Sequence, residues 1–262
     1  MDNKNMKNLK KSRQIFWQIN LQHGKVSTDT LISDVSSNLH TKTPVLLVQE
    51  PYIYKGRPIF SLPNYNIHFS GTDNRTLIAV PRSLKAWSVS SLSDRDTTTI
   101  LLEDDDKNKI LVISAYLDIK KDVVSQKLDE IANFSNNNKI PFLIGMDSNC
   151  HSTLWGCDTS NARGVVLEEW IIHNNLSLVN RGYEKTFVSH LGNSIIDVTL
   201  VSNEILNLVT SWQVDQDHQF SDHRKIIFEI DFASTIEITT RNYKTKGWKC
   251  KFRSLLKQVP KL

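Results

Sequence analysis

No apolar run in this 262-residue chain approaches the roughly twenty residues that a membrane-spanning helix needs. Met1 is followed by Asp2, Asn3, Lys4 and Asn5, so no hydrophobic signal segment is expected either. Cysteine is scarce: Cys150, Cys157 and Cys250 are odd in number and cannot make a complete disulfide framework, which fits a reducing compartment. Cys150-His151 with Cys157 does not have the spacing of a standard structural zinc site. No low-complexity linker divides the middle and no internal repeat is present, so one large domain with a sizeable core is expected.

Charge is present but unevenly placed. The formal net charge is +4, yet Lys4, Lys7, Lys10, Lys11 and Arg13 crowd residues 1–13, and Arg241, Lys244, Lys246, Lys249, Lys251, Arg253, Lys257 and Lys261 crowd 236–262. Against Asp2 and Glu237 these ends contribute +4 and +7, leaving −7 for residues 14–235. Basic ends can hold a nucleic-acid backbone through counterion release, or simply be solvated. An acidic body fits carboxylates gathered around a divalent cation.

Strands are expected at 14–20, 44–50, 65–70, 75–80, 97–103, 109–116, 140–147, 195–201 and 225–232, each rich in Ile, Val, Leu, Phe or Thr. Helices are expected at about 28–40 (Leu31, Ile32, Val35, Leu39), 122–136 (Val124, Leu128, Ile131, Phe134) and 162–175 (Val166, Trp170, Ile171). Asn136-Asn137-Asn138 closes the second. Hairpin-like runs interrupted by helices favour an α/β sandwich over a regular parallel repeat.

The chemistry collects at strand ends. Asp147 and Asn149 follow the run 140–145 and, by period-two alternation, point to one side, although Asp, Ser and Asn equally favour a turn there. Glu50 ends the run 45–49 before Pro51, and is either a hard-cation ligand or a solvated acid. Asn20 ends 15–19 and Tyr116 ends 110–115; a turn or amphipathic packing explains them as readily as a site does. Asp222-His223 precedes the strand at 225, and Asp197 sits inside an apolar run where an unpaired carboxylate is costly, so a pair of Asp197 with His223 satisfies both. Carboxylates, an amide and an imidazole so placed are the material of metal-assisted phosphodiester cleavage.

In that order the residues resemble the endonuclease/exonuclease/phosphatase superfamily. Within it, Gln18 to His23, Gln49-Glu50-Pro51, Gly145 to His151, Trp155-Gly156, Asn161-Ala162-Arg163-Gly164, Thr186-Phe187 and Ser221-Asp222-His223 are similar to the endonuclease domain of insect-type non-LTR retrotransposons. The resemblance covers roughly residues 14–232 and implies three segments: a basic tail at 1–13, the endonuclease/exonuclease/phosphatase domain at 14–232, and a basic connector at 233–262. The implied fold is DNase I-like, a four-layer α/β sandwich of two face-to-face mixed β-sheets flanked by helices.

The resemblance also implies roles. Glu50 holds a divalent metal, Mg²⁺ or alternatively Mn²⁺, with Asn20 and Asp222 as further ligands or orienting groups. Asp147 deprotonates the attacking water, Asn149 fixes it or a phosphate oxygen, Tyr116 binds the scissile phosphate, and His223, oriented by Asp197, stabilises the transition-state charge. Gln22, His151 and Thr186 fall at the substrate. Gln22 stands where many relatives have Asp or Asn, and Met146 where many have a second Asp. The implied activity is a nick in DNA leaving a 3′-hydroxyl and a 5′-phosphate, with a nuclear setting following from the substrate. The reverse transcriptase that relatives carry after this domain is a further implied partner, although no Tyr-x-Asp-Asp-like motif occurs in the chain. No membrane or obligate oligomer is indicated. Two other classes stay open: a phosphatase or phosphodiesterase of the same fold acting on a small substrate, and a silent DNA-binding relic.

Overall fold

A computed structural model describes residues 13–38, 43–217 and 220–231. The basic segments 1–12 and 232–262 lie outside the described residues, as does Leu39 of the expected first helix. No described helix is long and apolar enough to cross a membrane.

The chain begins with β1 (Arg13–Asn20), α1 (Lys25–Asn38) and β2 (Val45–Gln49), then a small hairpin of β3 (Ile53–Tyr54) and β4 (Arg57–Pro58). It continues through β5 (Tyr65–His68), β6 (Thr76–Pro81), β7 (Lys85–Ser88), β8 (Thr97–Glu103) and β9 (Lys109–Tyr116). After α2 (Gln126–Asn138) come β10 (Phe142–Asp147), α3 (Ala162–His173) and β11 (Leu176–Leu178). A second hairpin, β12 (Phe187–Ser189) with β13 (Gly192–Ser194), precedes β14 (Asp197–Ser202), β15 (Val209–Val214) and β16 (Ile226–Asp231).

Two six-stranded sheets result, ordered β15-β16-β1-β2-β6-β5 and β11-β14-β10-β9-β8-β7. Each is mixed: β1 runs parallel to β2 and β9 parallel to β10, with α1 and α2 supplying the crossovers that parallel neighbours require. Three apolar layers hold them. Leu31 and Val35 of α1 pack on Trp17, Ile19, Leu46, Val48 and Leu77 on the outside of the first sheet. Leu128 and Ile131 of α2 and Leu167, Trp170 and Ile171 of α3 cover Ile113, Ile144, Met146 and Val198 on the outside of the second. Between the sheets lie Phe16, Val45, Leu47, Val112, Leu143, Val201 and Phe228. The order of layers is therefore helix, sheet, sheet, helices, the four-layer α/β sandwich that the sequence implies.

The inner faces change character along the strands. Period-two alternation puts Phe16, Gln18 and Asn20 of β1 on one side, and likewise Val45, Leu47 and Gln49, Val112, Ser114 and Tyr116, and Leu143, Gly145 and Asp147. Each inner row begins apolar and closes on a polar or ionisable residue. Below the strand ends runs a belt of buried hydrogen bonds that Gln49 joins from above: Gln18 Nε2 donates to the Met146 carbonyl at 3.1 Å, Thr199 Oγ1 to Gln18 Oε1 at 2.9 Å, Gln49 Nε2 to Ser114 Oγ at 2.9 Å and to the Gly145 carbonyl at 3.2 Å, and Ser114 Oγ to the Val48 carbonyl at 3.0 Å.

Nine expected strands form, with shifts of a few residues at their ends. The expected strand at 65–70 stops at His68. Arg13 is not part of a tail: it opens β1 and pairs with Asp231 at 3.1 Å. On α3 the expected Val166 is exposed, and Leu167 takes its place in the core. The unexpected β7 and β11 are short edge strands, and a register shift near Val209 breaks the alternation of β15.

Gly145 leaves no room for a side chain between the two sheets. A Cβ there would sit 2.7 Å from Gln18 Oε1 and 2.8 Å from Leu47 Cδ1. Gln18 is pinned by the belt and cannot simply swing away. Gly145→Ala is expected to cost about 1–3 kcal/mol in urea unfolding, and an unchanged midpoint would mean that the belt is softer than its hydrogen bonds imply.

Candidate active site

Three neighbouring strands of the second sheet place Asp197, Asp147 and Tyr116 in one row, because Asp147 is in register with Asp197 on β14 and with Tyr116 on β9. Two buried carboxylates directly opposite each other repel unless a cation lies between them. His223 is that group. Its Nδ1 lies 3.0 and 2.9 Å from the two Asp197 oxygens, and its Nε2 lies 3.8 Å from Asp147 Oδ2. Burial disfavours the charged imidazole, but the Asp197 and Asp147 carboxylates outweigh it and raise the His223 pKa. Burial likewise raises Asp147; the His223 charge and the Asn20 amide oppose that, and Asp197 adds to it, with a net upward result. A carboxylate so raised is a better base than an ordinary aspartate.

The segment carrying His223 is fastened on two sides. Ser221 Oγ donates to the Asn20 carbonyl at 2.7 Å and accepts from the His223 amide at 3.2 Å, tying the segment to the end of β1. On the other side, Val188 N donates to the Asp222 carbonyl and Arg224 N to the Thr186 carbonyl, both at 2.7 Å, while the Phe187 ring meets His223 edge-on at 5.0 Å. Thr186 was expected at the substrate, and this is corrected: it is fully buried, and its hydroxyl oxygen accepts from the Ile196 and Asp197 amides, each at 3.1 Å. It positions Asp197 and cannot touch a substrate.

Asn20 bridges the two sheets. Its Nδ2 donates to Asp147 Oδ2 at 2.8 Å and to Glu50 Oε2 at 3.2 Å, and its Oδ1 accepts from the Gln22 amide at 2.7 Å. The reverse amide orientation would face an oxygen to two carboxylates. With Oδ1 accepting from Gln22 and Nδ2 donating to two carboxylates, Asn20 stands here as an orienting group, one of the two roles expected for it. Gln22 in turn accepts from the Asp222 amide at 2.9 Å through Oε1, and its Nε2 lies 3.4 Å from Asp222 Oδ2, so it steadies the His223 segment. Glu50 and Asp222, both half-buried, are the hard oxygen donors that suit a divalent cation. Asp147, Asp197 and His223 also bring ligand atoms within 4.8 Å of one another. Hydrogen bonds already link Asp197 to His223 and Asp147 to Asn20 within that cluster, and Glu50 and Asp222 are further carboxylates joined to it through Asn20 and Gln22.

Asn149 departs from the expected alternation. β10 ends at Asp147, and Asn149 has a left-handed φ of 48°, its amide donating to Asp147 Oδ1 at 3.1 Å and its Nδ2 to the Leu117 carbonyl at 3.2 Å. The turn reading and the site reading are thus the same structure: the Asx turn carries Asn149 beside Asp147. His151, expected at the substrate, is exposed, and its backbone locks onto α3, since Asn161 N donates to its carbonyl at 2.9 Å. A Cβ on Gly164 would sit 1.9 Å from that carbonyl oxygen. Asn161 caps α3 by accepting from Gly164 N at 2.7 Å. The Asn161 to Gly164 motif therefore fixes the segment after β10.

Tyr116 has its ring beneath the Arg75 guanidinium, 4.4 Å from carbon to centroid. Burial pushes its phenol up to about 12, and the Glu50 and Asp147 carboxylates add to this, so it remains a proton donor at neutral pH. Arg75 pairs with Asp96 and with Asp118, each at 2.7 Å, and Lys121 also reaches Asp96 at 2.7 Å. This cluster carries no obvious sequence signal, because its members lie on three separate loops.

Two outcomes follow. Burial raises the Asp96 pKa, but Arg75 and Lys121 outweigh it and the net shift is downward. Its contribution is then present above the unfolded pKa and lost as pH falls through the folded one. Asp96→Asn is expected to cost about 1–3 kcal/mol at pH 7, with the gap from wild type closing below about pH 4 in unfolding titrations. Thr186→Val keeps the volume but leaves two buried amides without an acceptor, so a loss of about 1–3 kcal/mol by the same measurement is expected.

Comparison with known proteins agrees with this geometry. Residues 110–227 match the endonuclease-reverse transcriptase family model. The chain is 30% identical over 115 residues to the retrovirus-related Pol polyprotein of the type-1 retrotransposable element R1 of Bradysia coprophila, a match covering 40% of the chain and 12% of that protein. It is 26% identical over 187 residues to the RNA-directed DNA polymerase from mobile element jockey of Drosophila funebris, covering 66% of the chain and 20% of the relative. The chain thus corresponds to a fifth or less of the length of these relatives. Among solved structures, the endonuclease domain of TRAS1, a telomere-specific non-LTR retrotransposon, superposes with a TM-score of 0.71 at 25% identity, covering 83% of this chain and 98% of that one. In sequence and in fold the chain is similar to the endonuclease domains of non-LTR retrotransposons.

Proposed function

We propose that the chain is a metal-dependent DNA endonuclease that nicks one strand to leave a 3′-hydroxyl and a 5′-phosphate. The observation that carries this reading is the continuous chain of groups from Glu50 through Asn20, Asp147 and His223 to Asp197, drawn from both sheets into one row. Asp147, basic through burial, takes the proton of the attacking water. Asn20 and the Asx turn at Asn149 hold that carboxylate in one orientation. The His223 imidazolium, kept charged by Asp197, faces the negative charge that develops on the phosphate. Tyr116, still a phenol at neutral pH, donates to a non-bridging phosphate oxygen. Mg²⁺ or Mn²⁺ held by Glu50 and Asp222 would supply Lewis acidity toward the phosphate. As water oxygen bonds to phosphorus, the bond to the 3′ oxygen breaks, and solvent protonates that leaving oxygen.

The kinship with retrotransposon polyproteins supports a further element of the proposal: the 3′-hydroxyl primes a reverse transcriptase acting with this domain, in the nucleus where the DNA lies. Supercoiled plasmid with Mg²⁺ tests the activity. Wild type is expected to convert it to open circles whose ends a polymerase extends, and Asp147→Asn to lose on the order of a hundredfold or more in rate with DNA affinity retained. Hydrolysis of soluble phosphate esters alone, or retardation of the plasmid without cleavage, would replace this reading by a phosphatase or a silent DNA-binding protein.

A further inference from the structure

Arg75 occupies an unusual place. It precedes β6 in the first sheet, yet its side chain crosses to the second. The residue is buried to 8% exposure and its guanidinium meets three groups there: the Asp96 carboxylate before β8, the Asp118 carboxylate after β9, and the face of Tyr116 at the end of β9. Its backbone carbonyl accepts from the Glu50 amide at 2.7 Å, and its own amide donates to the Arg95 carbonyl at 2.8 Å. One residue therefore touches the metal-side segment through its main chain and the phosphate-side segment through its side chain.

The remaining contacts make that hold rigid. Asp96 is gripped by Lys121 as well as by Arg75, and the Asp96 carbonyl accepts from the Tyr116 amide at 2.9 Å. Asp118 accepts from the Lys120 amide at 2.9 Å, and Arg163 donates to the carbonyls of Asp118, Ile119 and Lys121, fastening the loop that presents Asp118. A planar guanidinium fixed by two carboxylates presents a flat cationic face at a set height, which a flexible ammonium does not reproduce.

We infer that Arg75 is a positioning residue: it fixes the plane of the Tyr116 ring, and with it the direction of the phenol, relative to Glu50. The inference rests on the nuclease reading for its consequence, because Tyr116 acts on the scissile phosphate there. It adds a residue that makes no contact with the reacting atoms and that stores the alignment between the two halves of the site.

The test is a double-variant cycle read by plasmid nicking. Arg75→Lys keeps the charge and loses the planar stack, so turnover is expected to fall about ten- to a hundredfold with KM little changed. In a Tyr116→Phe background, which keeps the ring and removes the phenol, the same substitution is expected to cost less than about threefold. Equal losses in both backgrounds would overturn the inference, since Arg75 would then act without Tyr116. A substrate-free readout separates this from failure of the nuclease reading. In protein labelled with ring-¹³C tyrosine, the Tyr116 signal, assigned by its loss in Tyr116→Phe, is expected to shift and sharpen toward free ring rotation in Arg75→Lys; an unchanged signal overturns the inference whether or not wild type nicks DNA. Should Arg75→Lys not fold, Asp118→Asn, which removes one of its two carboxylate partners, carries both arms of the test.

Discussion

The belt of amides and hydroxyls between the sheets is the constraint on which the rest depends. A β-sandwich closed by apolar side chains alone has no reason to hold polar strand ends at a set separation. Here Gln18, Ser114 and Thr199, one row below Asn20, Asp147 and Tyr116, interlock across the gap with each other and with Gln49, which lies level with Asn20. Hydrogen bonds between buried groups have a definite length and direction, and leaving one unmade is costly. The belt therefore converts sheet packing, which tolerates sliding, into a fixed spacing between the strand ends that carry chemistry. The bare Cα of Gly145 belongs to the same device, since a side chain there would part the sheets.

Above the belt, electrostatics order the site. Asp147 and Asp197 face each other by register, and the sandwich can bury both because His223 arrives from the segment before β16 with one nitrogen toward each. The geometry reconciles two states that would conflict in water: a carboxylate more basic than usual and an imidazole that keeps its charge although buried. Burial raises the first, and paired carboxylates sustain the second against burial. Asn20 then joins this buried group to Glu50 across the gap.

Much of this was legible in the sequence because apolar runs with polar ends are a strong pattern. The strands that carry Asn20, Glu50, Tyr116, Asp147 and Asp197 were readable as runs of Val, Ile and Leu, and the cost of a lone carboxylate in such a run led from Asp197 to His223. What periodicity cannot give is direction beyond a strand's end. Asn149 reaches its place through a left-handed turn, and Thr186, in a motif of the resemblance, supports Asp197 from beneath. Arg75 was invisible for a different reason: its partners Asp96 and Asp118 lie 21 and 43 positions away on loops with no regular pattern.

The closing of the first sheet has a consequence for when the protein can act. β1 is held between β2 and β16, so Phe16 pairs with Phe228 across more than two hundred residues, and their rings stack at 5.2 Å. Asn20, near the start of the chain, finds Ser221 only when β16 has docked. Such distant pairing is slow to establish. During synthesis β1, β2, β5 and β6 and the whole second sheet can be in place while β15 still lacks its only neighbour and the imidazole is missing, so a chain cut short before β16 keeps much of the sandwich but leaves Asp147 and Asp197 without the cation between them.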